Sequence, residues 1–261
     1  MLINNDWIYL SIQKTGSTFL SKKLIEIYGE KAFSKDRKHG IQKKTTTKPK
    51  IITIRDPFEY YFSLWSYGLD GKGGFGNKLR ISNPSLAEKI YRDRTKSCFS
   101  HFLDLVLSFP GRNSQREVDW LPKSTDLYTA RILTMLVPQD EIERFSSTLN
   151  CDFSQDSIKK SLKELIPEVI IRTEYLNDDF HYLAKIGHLE FMKLPANWSS
   201  VFKNDAAKLN TSTRNQIDIM AAKQNELLPK YHKDLIEIKC STARHLINIA
   251  NGRMKKLKTD F

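Results

Sequence analysis

Apolar positions along the chain predict an alternation of strands and helices. Residues 6–12 form a short, mostly apolar run, which is typical of a buried strand in a parallel sheet. A polar turn around Gly16 follows, and apolar residues then recur at three- and four-residue spacing until Gly29, which predicts a helix. Further strands are predicted over residues 51–54 and 169–171, so the pattern indicates an α/β protein.

A second helix is predicted directly after residues 51–54. Asp56 is a suitable N-cap, Pro57 suits the first helical position, and Glu59 would complete a capping box. An apolar stripe at helical spacing continues from there, made of Phe58, Phe62, Trp65 and Leu69.

The remainder of the chain is predicted to be mainly helical. Five glycines within residues 68–76 predict a mobile loop. Helices are predicted over 99–109, 127–136, 178–186, 212–228 and 235–250, followed by a basic tail from about residue 252 that we expect to fray. With no internal repeat or linker, residues 1–261 are predicted to form one domain.

Composition excludes several classes of protein. At 40% hydrophobic and 28% charged residues, the chain is neither disordered, fibrous nor a disulfide scaffold. No apolar run approaches the ~18 residues of a membrane helix. The first residues do not resemble a secretory signal, and the three cysteines lack C-x-x-C spacing. We therefore expect a cytoplasmic protein without a zinc site.

Charge indicates an anionic partner. Forty-two Lys plus Arg against thirty Asp plus Glu leave a net charge of +12. Such a surface attracts nucleic acid, an anionic membrane, a sulfated or phosphorylated cofactor, or an acidic acceptor. Charge alone does not choose among them.

Two strand–turn–helix segments carry candidate chemistry. The first turn, Lys14-Thr15-Gly16-Ser17-Thr18, combines a lysine, a glycine and the hydroxyls of Ser17 and Thr18 at a helix start, which suits a phosphate-like anion. It lacks the order of a Walker A loop, and an ordinary turn with a surface lysine would also fit.

The second turn places Arg55 at a strand end, with Ser63 on the helix beyond it. Taken singly, these two residues could be a salt-bridge partner and a helix-surface residue. In a parallel sheet, however, both turns would lie at the carboxyl ends of strands, where α/β proteins bind ligands. The pair therefore predicts a ligand with anionic groups at both ends.

Together these segments resemble the sulfotransferases that use 3′-phosphoadenosine 5′-phosphosulfate (PAPS). In that family a K-[ST]-G-[ST]-T loop grips the 5′-phosphosulfate, and residues 14–18 match it. A second signature, R-[DN]-P-x-[ED]-x-x-x-S, holds the 3′-phosphate through its Arg and Ser, matched by Arg55 and Ser63. Weaker likenesses to glycan-type and bacterial members cover residues 37–40, 171–180 and 209–214.

The resemblance implies a three-layer αβα fold related to nucleotide kinases and metal-independent sulfuryl transfer to an acceptor hydroxyl or amine. PAPS would be the donor, and adenosine 3′,5′-bisphosphate the product. Lys14 would stabilise the leaving group and His39 would be the general base, a role that Glu59 or Glu174 could fill instead. The implied cofactor-binding residues are Lys14, Thr15, Gly16, Ser17, Thr18, Phe19, Arg55, Ser63, Ser212 and Arg214.

Two positions differ from the family signatures, and one segment outside the signatures is a further candidate for function. Gln13 replaces the usual Pro before the first signature, and Tyr60 and Tyr61 replace a basic residue after Glu59. The glycine-rich loop at 68–76 is a candidate gate for the acceptor, and its lysines could recognise an anionic one.

Several alternatives stay open at this stage. An ATP-dependent small-molecule kinase is disfavoured by the absence of Walker A order and of metal-binding carboxylates. A nucleic-acid-binding domain fits the charge, but the aromatics fall on apolar stripes, so we expect no nucleic acid partner. An inactive cofactor-binding protein also fits. Glycan, small alcohol, amine and protein tyrosine acceptors are all compatible, with a glycan preferred, and the oligomeric state is left open.

Overall fold

The computed structural model describes residues 1–35, 42, 44–108, 120–121, 125–151, 163–202 and 226–259. At its centre is a five-stranded mixed sheet with the spatial order β3-β1-β2-β4-β5. The strands are β1 (Leu2–Ile3), β2 (Ile8–Leu10), β3 (Ser34–Lys35), β4 (Lys50–Ile54) and β5 (Val169–Arg172). The three predicted strands correspond to β2, β4 and β5, which are parallel neighbours. The short antiparallel strands β1 and β3 were not predicted.

Helices make up most of the remaining described chain. They are α1 (Ser17–Tyr28), α2 (Pro57–Leu69), α3 (Gly74–Ser82), α4 (Pro84–Tyr91), α5 (Lys96–Val106), α6 (Leu127–Leu136), α7 (Ile142–Cys151), α8 (Leu176–Lys185), α9 (Lys230–Lys239) and α10 (Ser241–Thr259). Among the described residues, no helix has the length and apolar character needed to span a bilayer.

Side chains that alternate along the strands build two cores, one on each face of the sheet. Ile52 and Ile54 of β4 point into a core shared with α2, α5 and α6. Ile51 of β4 and Ile171 of β5 point to the opposite face, against α1 and α8. Because a strand directs successive side chains to opposite faces, strands buried on both sides are almost wholly apolar. The predicted α/β class is confirmed.

The predicted mobile loop at residues 68–76 is wrong. Gly68 lies inside α2, and α3 begins at Gly74, so only a short turn separates the two helices. A Cβ atom added to Gly68 would lie 2.4 Å from a ring carbon of Tyr91. The glycine is therefore required for close helix packing, and this tertiary contact outweighs its low helix propensity.

The C-terminal region also differs from the prediction. Residues 235–250 belong to two helices that meet at Cys240, and the tail expected to fray is helical to Thr259. Met254 is buried, and the Arg253 guanidinium donates to the carbonyls of Pro167 and Glu168. These contacts hold the last turns of α10 against the domain. The helix predicted over 212–228 lies almost wholly outside the described residues.

Candidate functional site

The first turn, between β2 and α1, has an uncommon backbone. Lys14 and Gly16 both have left-handed φ angles, of 67° and 73°. Such an angle is rare for a lysine, and turns of this kind commonly form a concavity lined by backbone N–H groups that suits an anion. α1 begins directly after Gly16 without a side-chain cap or an acidic residue in its first turn. The positive end of the helix dipole therefore meets the same concavity.

Buried hydroxyls attach this turn to the neighbouring strand. The Thr15 hydroxyl donates to the Ile12 carbonyl, 2.9 Å away, and lies 2.7 Å from Thr53 Oγ1 on β4. Thr53 Oγ1 is in turn 3.0 Å from the Tyr9 hydroxyl. Thr15 is fully buried, so its side chain anchors the turn and does not reach solvent.

Arg55, in the second turn, is held by its backbone more firmly than by its guanidinium. Its N–H donates to the Tyr128 hydroxyl at 2.9 Å, and that hydroxyl donates to the Arg55 carbonyl at 3.0 Å. The guanidinium reaches the Lys14 carbonyl and Glu59 Oε2 only at 3.3 and 3.4 Å. Within the described chain, Arg55 Nε is buried without a hydrogen-bond partner. An under-satisfied buried donor is unfavourable, which leaves this side chain suited to an added anion.

The start of α2 confirms only part of the predicted capping box. Asp56 Oδ1 accepts from the N–H groups of Phe58 and Glu59, as an N-cap does. The Asp56 N–H, however, donates to Glu174 Oε1 at 3.1 Å and not to Glu59. Glu59 pairs with Arg55 instead.

A third turn, after β5, braces the other two. The Thr173 hydroxyl donates to the Ile54 carbonyl at 2.8 Å, and Leu176 packs so closely on Gly16 that an added Cβ would lie 2.8 Å from its Cδ1. Burial raises the pKa of Glu174, whose carboxylate accepts the Asp56 N–H. The turns at the carboxyl ends of three parallel strands are therefore in direct contact with one another.

A cleft of about 460 Å³ opens between the first two turns. It is lined by Gln13, Lys14, Gly16, Ser17, Thr18, Phe19, Arg55, Ser63, Tyr67 and Gly73. Lys14 Nζ lies 4.0 Å from the centre of the Tyr67 ring, a cation–π contact. Burial, and secondarily the positive charge of Arg55, lower the pKa of Lys14. Two cationic side chains thus share one cleft, an arrangement that an anion would stabilise.

The structure brings most of the predicted site residues together. Seven of them line the cleft: Lys14, Gly16, Ser17, Thr18, Phe19, Arg55 and Ser63. Thr15 is directed inward, whereas His39, Ser212 and Arg214 lie outside the described residues. Gly73 belongs to the segment that the sequence analysis named as a candidate gate. Sequence reasoning did not assign Gln13 to the site, although it adjoins the first signature, and it missed Tyr128, whose position depends on tertiary packing.

Neither a metal cluster nor a known relative identifies the site further. In the part of the chain that the structure describes, no group of three or more His, Cys, Asp or Glu side chains could hold a metal ion. No family model, curated protein or solved structure matches the chain. The chemistry of the cleft therefore has to be argued from its own residues.

Proposed function

We propose that the protein is a PAPS-dependent sulfotransferase of the three-layer αβα, nucleotide-kinase-related type. The observation that carries this proposal is the shared cleft, in which Lys14 of the first turn and Arg55 of the second line one space. The two signatures lie about forty residues apart in the sequence, and their resemblance to the family would be without consequence if they faced different surfaces.

The cleft suits a nucleotide with anionic groups at both ends. Its volume lies within the range of about 300–1,000 Å³ that small-molecule sites occupy. The start of α1 and Lys14 would receive the 5′-phosphosulfate, and Arg55 with Ser63 would receive the 3′-phosphate. Phe19 offers an apolar face to the adenine, and its ring is braced edge-on by Phe202 at 6.4 Å.

Sulfuryl transfer needs a cation at the leaving group. The acceptor oxygen or nitrogen attacks sulfur, the bond from sulfur to the 5′-phosphate oxygen breaks, and the acceptor loses a proton. Negative charge develops on the leaving phosphate, where the Lys14 ammonium and the N–H groups of Gly16–Thr18 would stabilise it. His39 stays the proposed general base, as the resemblance implies; of the described alternatives, neither Glu59 nor Glu174 lines the cleft. A glycan is the preferred acceptor.

Ligand binding without metal tests the proposal. Adenosine 3′,5′-bisphosphate at about 100 times its Kd should stabilise the protein by about 2.7 kcal/mol, and it should bind more tightly than AMP in the presence of EDTA. Arg55→Ala should abolish the advantage over AMP. Arg92→Ala, a control on an exposed arginine outside the cleft, should leave it unchanged.

Activity assays complete the test. With PAPS and a panel of glycan, alcohol, amine and tyrosine acceptors, Lys14→Ala should lower turnover more than cofactor affinity. Equal stabilisation by AMP and the bisphosphate would overturn the proposal. Stabilisation by ATP only with Mg²⁺ would overturn it too, and would favour a kinase.

A further inference from the structure

A single buried hydroxyl satisfies both backbone groups of Arg55. Tyr128 Oη accepts from the Arg55 N–H at 2.9 Å and donates to the Arg55 carbonyl at 3.0 Å. β4 ends at Ile54 and α2 begins at Pro57, so the Arg55 backbone lies between these two elements. Buried backbone groups require partners, and here a side chain 73 residues away supplies both.

The position of that hydroxyl is itself closely defined. Tyr128 is fully buried, and its ring stacks on Tyr60 with the two ring centres 3.6 Å apart and the planes 8° from parallel. Its N–H donates to Asp126 Oδ1, the N-cap of α6. Packing and capping together restrict the position of the Tyr128 side chain. Because its hydroxyl binds the Arg55 backbone, the position of α6 determines where that backbone lies.

The guanidinium of Arg55 has no comparable restraint. Its contacts with the Lys14 carbonyl and Glu59 Oε2 are 3.3 and 3.4 Å long, at the weak end of hydrogen bonding. Its Nε is buried without a partner in the described chain. The direction in which this side chain enters the cleft therefore depends chiefly on where its backbone is held.

We propose that Tyr128 is a positioning residue for the 3′-phosphate subsite: its hydroxyl fixes the Arg55 backbone so that the guanidinium meets that phosphate. This inference rests on the proposed function. It assigns selectivity for a 3′-phosphorylated nucleotide to α6, which does not line the cleft.

Tyr128→Phe tests the assignment, and Tyr60→Phe is a matched control. Both changes remove one phenol oxygen from the same stacked pair, but the Tyr60 hydroxyl accepts from Arg131 and does not contact Arg55. The Kd of adenosine 3′,5′-bisphosphate and of AMP would be measured by calorimetry for each protein. In Tyr128→Phe the preference for the bisphosphate should fall about tenfold, equivalent to about 1.4 kcal/mol, while the Kd of AMP stays within about twofold. Tyr60→Phe should retain the preference.

Amide exchange provides a readout that does not need the nucleotide. The Arg55 N–H should be protected from exchange although it lies outside any strand or helix, and Tyr128→Phe should remove this protection selectively. An unprotected Arg55 amide, or a Tyr128→Phe variant that keeps its full preference for the bisphosphate, would overturn the inference. Equal weakening of both nucleotides in both variants would overturn it too, since that pattern indicates general loosening.

The two proposals fail in distinguishable ways. If the unaltered protein does not prefer the bisphosphate to AMP, the proposed function fails, whatever Tyr128 does. If it does prefer the bisphosphate and Tyr128→Phe keeps that preference, only the positioning role fails.

Discussion

Replacing Thr53 by Val should destabilise the protein through one orphaned hydroxyl. The Thr15 proton is directed to the Ile12 carbonyl, so Thr15 must accept from Thr53, and Thr53 must accept from Tyr9. Burial raises the pKa of Tyr9, which therefore stays protonated and remains a donor. In Thr53→Val this donor is left without a partner in a fully buried site, which costs about 1–3 kcal/mol.

A double-mutant cycle, measured by urea unfolding, isolates this effect. Tyr9→Phe alone should lower the free energy of unfolding by about 0.5–1.5 kcal/mol, the net worth of one hydrogen bond. In the Tyr9→Phe background Thr53→Val orphans no hydroxyl donor, so the double variant should be more stable than the sum of the single changes by about 1 kcal/mol.

Thr134→Val is the matched control for the loss of a buried threonine hydroxyl. Its hydroxyl donates to the Ala130 carbonyl within its own helix, and removing it leaves no unpaired donor. It should therefore destabilise less than Thr53→Val. Additive changes in the cycle, or equal effects of the two Thr→Val replacements, would refute the reasoning.

Three further changes probe the turns around the cleft. Gly16→Ala should weaken binding of the bisphosphate at least tenfold by calorimetry, because φ is +73° there and the new Cβ would lie 2.8 Å from Leu176 Cδ1. Asp179→Asn should lower the free energy of urea unfolding by about 1.5–3 kcal/mol, since it neutralises a buried carboxylate to which the partly buried Arg172 donates through Nε and a second nitrogen. The affinity for the bisphosphate should fall as pH rises through the lowered pKa of Lys14, because burial makes its ammonium lose its proton at a lower pH than an ordinary lysine does.

Each of these predictions has a control and a contrary outcome. Gly252→Ala, where an added Cβ meets nothing within 4 Å, should leave binding unchanged, and equal effects at the two glycines would contradict the steric argument. Asp6→Asn removes an exposed partner of Lys193 and should change stability by less than about 1 kcal/mol. Lys14→Arg should flatten the alkaline fall in affinity, and an unchanged pH profile in that variant would assign the titration to another group.

Local features of the site were predictable because they depend on a few adjacent residues. A glycine that adopts a left-handed angle before a helix, and an aspartate followed by proline at a helix start, determine their turns through sterics and short-range hydrogen bonds. The apolar runs of β2, β4 and β5 likewise predicted strands, and the run at β2 predicted a buried one. His39, Ser212 and Arg214 stay predictions, since they lie outside the described residues.

Contacts between distant segments were not predictable, as two examples show. Periodicity places Tyr67 on the second helix, but only packing sets its ring 4.0 Å from the Lys14 ammonium. The glycines near residue 70 suggested a loop, whereas Gly68 in fact serves the close approach of Tyr91.

Taken by itself, the sequence determined the parallel strands, the two cation-bearing turns and the helix that follows each one. Only the tertiary structure decided that Arg55 is held by Tyr128, that Glu174 and not Glu59 accepts the Asp56 N–H, and that Thr15 is directed inward. The reason is that backbone torsions and short-range caps are encoded over a few residues. A buried polar group, by contrast, takes the partner that the packing of distant segments brings within about 3 Å of it.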